Sequence, residues 1–331
     1  MKIEFYKSLK DKESHFSTQN IDSKEDLDSF INDWETKENQ IFRGVNNASF
    51  KLYNSSQRFW IGEELQKLGK SYPDFIKEQI ENAKKFQNNV LEKFYKSFGH
   101  EAYDLSVLSF LQHYGAPTPL LDFSYNLNTA LYFATENTPV NHIKDDIDNY
   151  ISIYAIDLSK TKMFFPSLID HLSSNTRNIN EILERYKGEN IDTSGVTEPL
   201  KKLSYSYFEK LSLFYIPGYS EDGYEFEIPE LKDFKLIFNQ QNLNIINQEG
   251  LFVYNSDETH PLEDYFTDDN DGFQKTFVLP KIKCWNIHKS FQDYIISNLN
   301  KAKPCPVNKA FIYPQEEMIA SDSFKKFKTN I

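Results

Sequence analysis

Apolar residues recur along this chain with two different periods, and each period predicts a different kind of element. A spacing of three and four residues places apolar side chains on one side of a helix and marks four segments. One predicted helix begins after a cap at Ser23, and another covers 63–98. Two more lie on either side of a break within 105–134, and the last covers 285–299. Short runs of β-branched and aromatic residues predict strands. The predicted strands are 41–42, 150–157, 234–238, 251–254 and 275–279, and residues 45–60 are predicted as a loop.

Short strands interspersed with helices, without an internal repeat, predict an α+β fold rather than a doubly wound sheet. The length of 331 residues allows one large domain or two closely joined ones. The pattern divides the chain into an N-terminal segment 1–22, a first core part 23–157, a variable, largely helical insertion 158–230, and a second core part with C-terminal helices 231–331.

Residues 105–134 place a polar connection between two apolar, helix-like segments. The first segment stops at Gly115, a common helix end, and the second begins near Leu127. The connection holds the polar and aromatic side chains His113, Tyr114, Asp122 and Ser124. Functional residues are often held on a connection between two anchored elements, so this connection is the first candidate site.

Composition narrows the function classes. The 37 basic and 49 acidic residues give a net charge of −12, which argues against strong nonspecific binding to nucleic acid. Two cysteines without metal or redox spacing suit a reducing cytoplasm. The N-terminus has no apolar run and no window approaches a membrane span, so a cytoplasmic protein without a membrane partner is predicted.

Histidine spacing bears on metal binding. His142, His171, His260 and His288 have no spacing typical of metal ligands, so no metal is predicted.

Three segments together resemble the FRG domain, which is named for its Phe-Arg-Gly motif. They are IFRG at 41–44, LSFLQHYGAPTPLLDFSYNLNTALYFA at 108–134, and NQEGLFVY at 247–254. Four residues depart from the family pattern: Pro119 replaces an arginine, Phe123-Ser124 replaces Trp-Thr, and Val45 replaces a polar residue. The missing arginine removes one possible anion contact.

FRG domains are in turn similar to the ADP-ribosyltransferase fold, which implies a split mixed sheet flanked by helices and NAD as substrate. Arg43 resembles the arginine of the Arg-Ser-Glu class, and Phe123-Ser124 resembles its Ser-Thr-Ser strand. Gln248-Glu249-Gly250 stands where that class has Glu-x-Glu, with Gly250 at the position of the catalytic glutamate.

The resemblance implies roles in NAD binding. The guanidinium of Arg43 suits a pyrophosphate clamp because its planar fork holds two oxygens. Gly44 would let the dinucleotide approach the backbone, and Ser124 would bond the ribose or a carboxylate. Tyr114 or Phe123 would stack on nicotinamide. Each has a simpler alternative, since an arginine beside a turn is often exposed and aromatic side chains are more often core.

Catalysis would need a carboxylate near the positive charge that develops on the ribose. Glu249 or Asp122 is the candidate, with His113 and Gln248 completing the predicted catalytic set. The alternatives are that Asp122 caps a helix, His113 packs near a helix end, Gln248 ties up strand-end backbone, and Glu249 faces solvent.

The resemblance implies an enzyme that moves ADP-ribose from NAD to a macromolecular acceptor: RNA, DNA or protein. Similar proteins are often toxins in bacterial stress or phage-defence systems, which implies an inhibitory protein partner, an antitoxin. The alternatives are a non-catalytic nucleotide- or protein-binding module and an NAD glycohydrolase.

Overall fold

The computed structural model describes eight parts of the chain: residues 2–97, 102, 104–138, 146–158, 213–216 (backbone only), 243–255, 257–266 and 281–315. The strands are β1 (Ser17–Ile21), β2 (Gln40–Val45), β3 (Leu120–Ser124), β4 (Tyr150–Asp157), β5 (Leu213–Ile216), β6 (Gly250–Asn255) and β7 (Lys283–His288).

The α-helices are α1 (Leu9–Glu13), α2 (Lys24–Trp34), α3 (Ser55–Gly62), α4 (Tyr72–Ser97), α5 (Asp104–His113), α6 (Leu127–Thr135), α7 (Leu243–Asn247), α8 (Gln292–Leu299) and α9 (Lys309–Ile312). Four short 3-10 helices cover Leu65–Leu68, Asp146–Asn149, Leu262–Tyr265 and Lys289–Phe291.

The seven strands form one mixed sheet in the order β1-β7-β4-β2-β3-β6-β5. The outer pairs β1/β7 and β5/β6 are parallel, and the four inner pairs are antiparallel. Strands interspersed with helices that cover a mixed sheet confirm the predicted α+β class.

Different helices cover the two halves of one sheet face. Over β1, β7, β4 and β2, the helices α2, α6, α8 and α9 enclose a core that includes Phe42 and Trp285. Over β3 and β6, the helices α3, α4, α5 and α7 enclose a separate core that includes Leu120 and Phe252. The opposite face carries one continuous core, with Tyr154 and Val253 near its centre.

Gly44 of β2 is where the sheet and α6 approach most closely. A Cβ at this position would lie 1.8 Å from the carbonyl oxygen of Ala130, so only glycine allows this packing. The glycine of the Phe-Arg-Gly motif is thus needed for helix–sheet packing.

Two predicted elements are wrong. Residues 283–288, four of which fall inside the predicted helix 285–299, form a strand next to the edge strand β1, and α8 begins at Gln292. Cys284, Trp285 and Ile287 are all buried because both sheet faces are covered, so this strand has no alternating polar face to distinguish it from a buried helix. The polar connection of 105–134 also contains a strand, β3, in mid-sheet.

Smaller differences concern helices. The predicted loop 45–60 contains the start of α3, and the predicted helix 63–98 is a 3-10 turn followed by α4, which has non-helical backbone at Phe86, Gln87, Asn88 and Asn89. The predicted strands 234–238 and 275–279 lie outside the described residues. So does the insertion 158–230, apart from 158 itself and 213–216, whose strand β5 pairs with β6.

Candidate functional site

The sheet opens between its two middle strands. Six register pairs join β2 to β4 and five join β3 to β6. In contrast, the fully described strands β2 and β3 share one register pair, Phe42 with Ser124. Beyond this pair the strands diverge, and the two halves of the helical layer separate with them.

A cleft of about 740 Å³ lies at this opening. Its lining includes the N-terminal residues 3–5, residues 50–53, the end of α5, and α7. Its size falls within the range of about 300–1,000 Å³ typical of small-molecule sites.

Arg43 bridges the diverging strands. Its Nη1 donates to the backbone oxygen of Asp122 over 2.6 Å and lies 3.9 Å from the Oδ2 of the same residue. The side chain is 19% exposed, and its Nε is buried without a hydrogen-bond partner among the described residues. Burial lowers the pKa of Arg43, and the nearby carboxylate opposes this shift. Arg43 therefore has a spare donor beside the cleft.

The side chain of Asp122 is held on the wall of the cleft. Its Oδ2 accepts a hydrogen bond of 2.8 Å from Nε2 of Gln112, whose Oε1 in turn accepts from the hydroxyl of Thr118. The Asp122 side chain remains 48% exposed. It does not cap the following helix, whose N-cap is Asn126. This is a fixed and accessible carboxylate.

Arg58 brings a second guanidinium to the same cleft. It lies in the first turn of α3, exposed, with Nη1 donating to the backbone oxygen of Tyr53 over 2.7 Å. Partial burial lowers the pKa of Arg58, the positive charge of Arg43 lowers it further, and the carboxylate of Asp122 opposes both effects. The two arginines are close enough to repel one another, which favours an anion between them.

His113 lines the cleft at the end of α5. Its Nδ1 lies within hydrogen-bond distance, 3.0 Å, of Nδ2 of Asn244, and the ring tautomer sets the direction of that bond. Burial lowers the pKa of His113, which favours the neutral form.

The two rings predicted to stack on nicotinamide differ in their relation to the cleft. Phe123 is 3% exposed and belongs to the core beneath the sheet. Tyr114 is 70% exposed, contacts Phe110 and His113, and is absent from the described lining of the cleft. Phe123 is among the residues that line the cleft although little of its surface is exposed, and the stacking role of either ring stays a prediction.

Ser124 and Gln248 line the cleft, but their side chains hold the backbone together. The Ser124 hydroxyl donates to the backbone oxygen of Gln248 over 2.6 Å. The Gln248 amide donates to the backbone oxygen of Ile312 in α9 over 2.9 Å. These bonds join β3, the turn before β6, and the C-terminal helix.

Glu249 lies beside the cleft rather than on it. Its Oε1 accepts from Nδ2 of Asn126 over 3.0 Å, at the start of α6. Its backbone adopts a φ of 46°, in the tight turn that leads into β6. Among the described lining residues Gly250 is present and Glu249 is not, so the structure favours Asp122 of the two carboxylates.

Sequence reasoning missed Arg58 and the positioning role of Gln112. A capping box was the available signal for Arg58: Asn54 caps Gln57, and Gln57 bonds back to the Asn54 backbone, which predicts a helix start just before Arg58. No local signal links Gln112 to Asp122, since Gln112 lies near the end of α5 and Asp122 lies in β3, beyond a turn.

Within the described part of the chain, no group of three His, Cys, Asp or Glu side chains is arranged to hold a metal ion. No helix among the described residues has both the length and the apolar character needed to cross a bilayer.

The fold and the site define an α+β protein with a cationic cleft that divides its sheet. Residues 38–142, from the start of β2 to beyond α6, match the family model of the FRG domain, and the chain therefore carries an FRG domain. The match includes Arg43, Arg58, His113 and Asp122. Searches of curated proteins and of solved structures gave no match to the chain.

Proposed function

We propose that the cleft binds NAD and that the chain transfers ADP-ribose from NAD to a macromolecular acceptor, RNA, DNA or protein. The observation that carries the proposal is the arrangement at the opening of the sheet. Two guanidinium groups, of Arg43 and Arg58, and one accessible carboxylate, of Asp122, line a single cleft. The likeness of FRG domains to ADP-ribosyltransferases supports the same reading.

The two arginines suit the pyrophosphate. A pyrophosphate carries two negative charges, and guanidinium groups bond phosphate oxygens through paired N–H donors. The Arg43 side chain is 19% exposed and lines the cleft, so its guanidinium is within reach of such an anion. An anion bound between the two guanidinium groups attracts both of them and offsets their mutual repulsion.

Asp122 suits the reaction centre. When the bond between nicotinamide nitrogen and ribose C1′ breaks, the electron pair leaves with nicotinamide and positive charge develops on the ribose. A fixed carboxylate stabilises that charge, and it accepts the proton that the acceptor loses as its nucleophile bonds to C1′. His113 lines the same cleft, and its lowered pKa favours the neutral imidazole, which is able to hydrogen-bond a ligand there.

A second function, non-catalytic binding of a nucleotide, is favoured by the position of Glu249. The residue aligned with the transferase Glu-x-Glu segment bonds to Asn126 and lies outside the described cleft wall. In that case the arginines bind the ligand and no bond is broken.

The test is transfer of label from NAD carrying the label in its adenylate half. Purified protein is incubated separately with RNA, single-stranded DNA, double-stranded DNA and lysate protein. Asp122→Asn is expected to lower transfer at least about 10²-fold, the contribution typical of a general base, while NAD binding stays within a few-fold. The matched isosteric control is Glu249→Gln, which is expected to retain transfer.

Each result has a distinct meaning. Binding of NAD without consumption would replace the transferase with the binding module. Consumption with no labelled macromolecule would identify a glycohydrolase that uses water. Loss of transfer in Glu249→Gln but not in Asp122→Asn would reverse the assignment of the carboxylate.

A further inference from the structure

Two exposed aromatic rings stand on the N-terminal wall of the cleft. Ten large hydrophobic side chains are exposed in the described part of the chain, and Phe5 and Phe50 are the two among them that line the cleft. Phe5 is 53% exposed and Phe50 is 39% exposed. Their ring centroids are 5.9 Å apart with an angle of 56° between the planes, so the rings contact each other while both residues stay exposed.

Three contacts fix the backbone that carries these rings. Phe5 and Phe50 form an antiparallel bridge, and the Tyr6 amide donates to the Ser49 oxygen over 2.8 Å. Next to the rings, Lys51 Nζ bonds Glu4 Oε2 over 2.6 Å. The segment is therefore held in place before any ligand arrives, and preorganisation reduces the entropy lost on binding.

The exposed apolar surface of Phe5 and Phe50 indicates that a ligand covers these rings. Two adjacent phenylalanines in water keep a considerable apolar area exposed that a planar ligand would cover. The rings share the cleft with Arg43 and Arg58, so the ligand that covers them also carries negative charge. A nucleotide combines a planar base with phosphate, and base–aromatic stacking is tolerant of base identity.

We propose that Phe5 and Phe50 form a stacking platform for a planar base of the bound nucleotide, either adenine or nicotinamide. This inference rests on the proposed NAD site and assigns its base-binding part to the N-terminal segment. The platform takes the role that sequence reasoning gave to Tyr114 and Phe123.

The test is calorimetric titration of wild type with NAD, ADP, nicotinamide mononucleotide and inorganic pyrophosphate, repeated with Phe5→Leu and Phe50→Leu. Stacking of one base on an aromatic ring predicts a loss of about tenfold or more in affinity for NAD in at least one variant. Pyrophosphate binding should be unchanged. If the variant loses affinity for ADP but not for nicotinamide mononucleotide, the stacked base is adenine. If it loses affinity for the mononucleotide but not for ADP, the stacked base is nicotinamide.

The matched control is Phe59→Leu, because Phe59 is 41% exposed, stacks on Phe75 and is absent from the described cleft lining. Unchanged NAD affinity in both cleft variants, or an equal loss in Phe59→Leu, would overturn the platform. Base-dependent binding without transfer of label would overturn the transferase and leave the platform standing. A wild-type chain that binds none of the four ligands would overturn both.

Discussion

Two groups of charged side chains lie on opposite sides of Tyr154, and they differ in how they are satisfied. The enclosed group consists of Lys12, Glu263 and their partners Tyr6, Ser152 and Asn286. Lys12 is 0% exposed and donates to Ala48 O, Ser152 Oγ and Asn286 Oδ1 over 2.7–3.1 Å. Its Nζ also lies 4.8 Å from the centroid of the Tyr154 ring.

The cleft group consists of Arg43, Arg58 and Asp122. Arg43 is the register partner of Tyr154, so the two groups are neighbours through one ring. In this group two cations face one carboxylate, a guanidinium nitrogen is unpartnered within the described residues, and Asp122 is half exposed. The enclosed group uses its hydrogen bonds for folding, whereas the cleft group keeps charge available for a ligand.

The largest expected effect concerns the enclosed Glu263. Burial raises the pKa of Glu263 to about 7 from an ordinary value of 4.5. The folded protein therefore binds this proton more tightly than the unfolded chain. The resulting stabilisation is complete below pH 4.5 and is lost as the pH rises through 7.

Glu263→Gln should remove this pH dependence while keeping an acceptor for the Tyr6 hydroxyl. The shift corresponds to about 3 kcal/mol in the free energy of unfolding between pH 4.5 and 8. Urea unfolding of both proteins at several pH values measures it. Parallel pH profiles for wild type and variant would show that the group is not enclosed as described.

The second-largest expected effect on the free energy of unfolding concerns the hydrogen bonds of Lys12. Asn286→Ala removes one acceptor from a buried ammonium group, and a hydrogen bond to a charged group contributes about 2 kcal/mol. Thermal or urea unfolding should show a loss of that size. Asn300→Ala, at an exposed position after α8, should change the free energy of unfolding by less than about 0.5 kcal/mol. Equal effects in the two variants would contradict the account.

The smallest effect on stability, and a clear effect on binding, is expected in the cleft. Arg58→Gln should leave the free energy of unfolding within about 0.5 kcal/mol, since the side chain is exposed. The Kd for NAD should rise about tenfold, because one charge-assisted hydrogen bond to phosphate is lost. The control variant is Lys67→Gln, which removes a positive charge from the 3-10 helix Leu65–Leu68, where the Lys67 side chain is 69% exposed. A destabilised protein with unchanged NAD affinity would place Arg58 with the enclosed group.

The sequence predicted the class of fold and the residues of the motif better than their arrangement. Period-based reasoning located α2 and β4, because one side of α2 is polar and β4 is long and rich in β-branched residues. It missed the strand 283–288, and it missed 120–124, where only the resemblance of Phe123-Ser124 to a strand gave a signal, since strands covered on both faces lack an alternating pattern. A single sequence also does not reveal that β2 and β3 diverge, because strand pairing is non-local.

The same limit applies to the site. Arg43 and Asp122 were recognised from the motif, and the structure places them in contact across 79 positions of sequence. The roles of Phe123 and Ser124 were not predictable, since an aromatic ring or a hydroxyl serves the core or the backbone as readily as a ligand. Arg58 was predictable in principle through its capping box, and Phe5 was not, because only the folded chain brings the N-terminus to the cleft.

The most direct test of the central claim is a crystal structure of the chain with NAD. The account predicts a dinucleotide in the opening between β2 and β3, with pyrophosphate oxygens within hydrogen-bond distance of both Arg43 and Arg58. A dinucleotide bound elsewhere, or one whose pyrophosphate touches neither guanidinium, would contradict it.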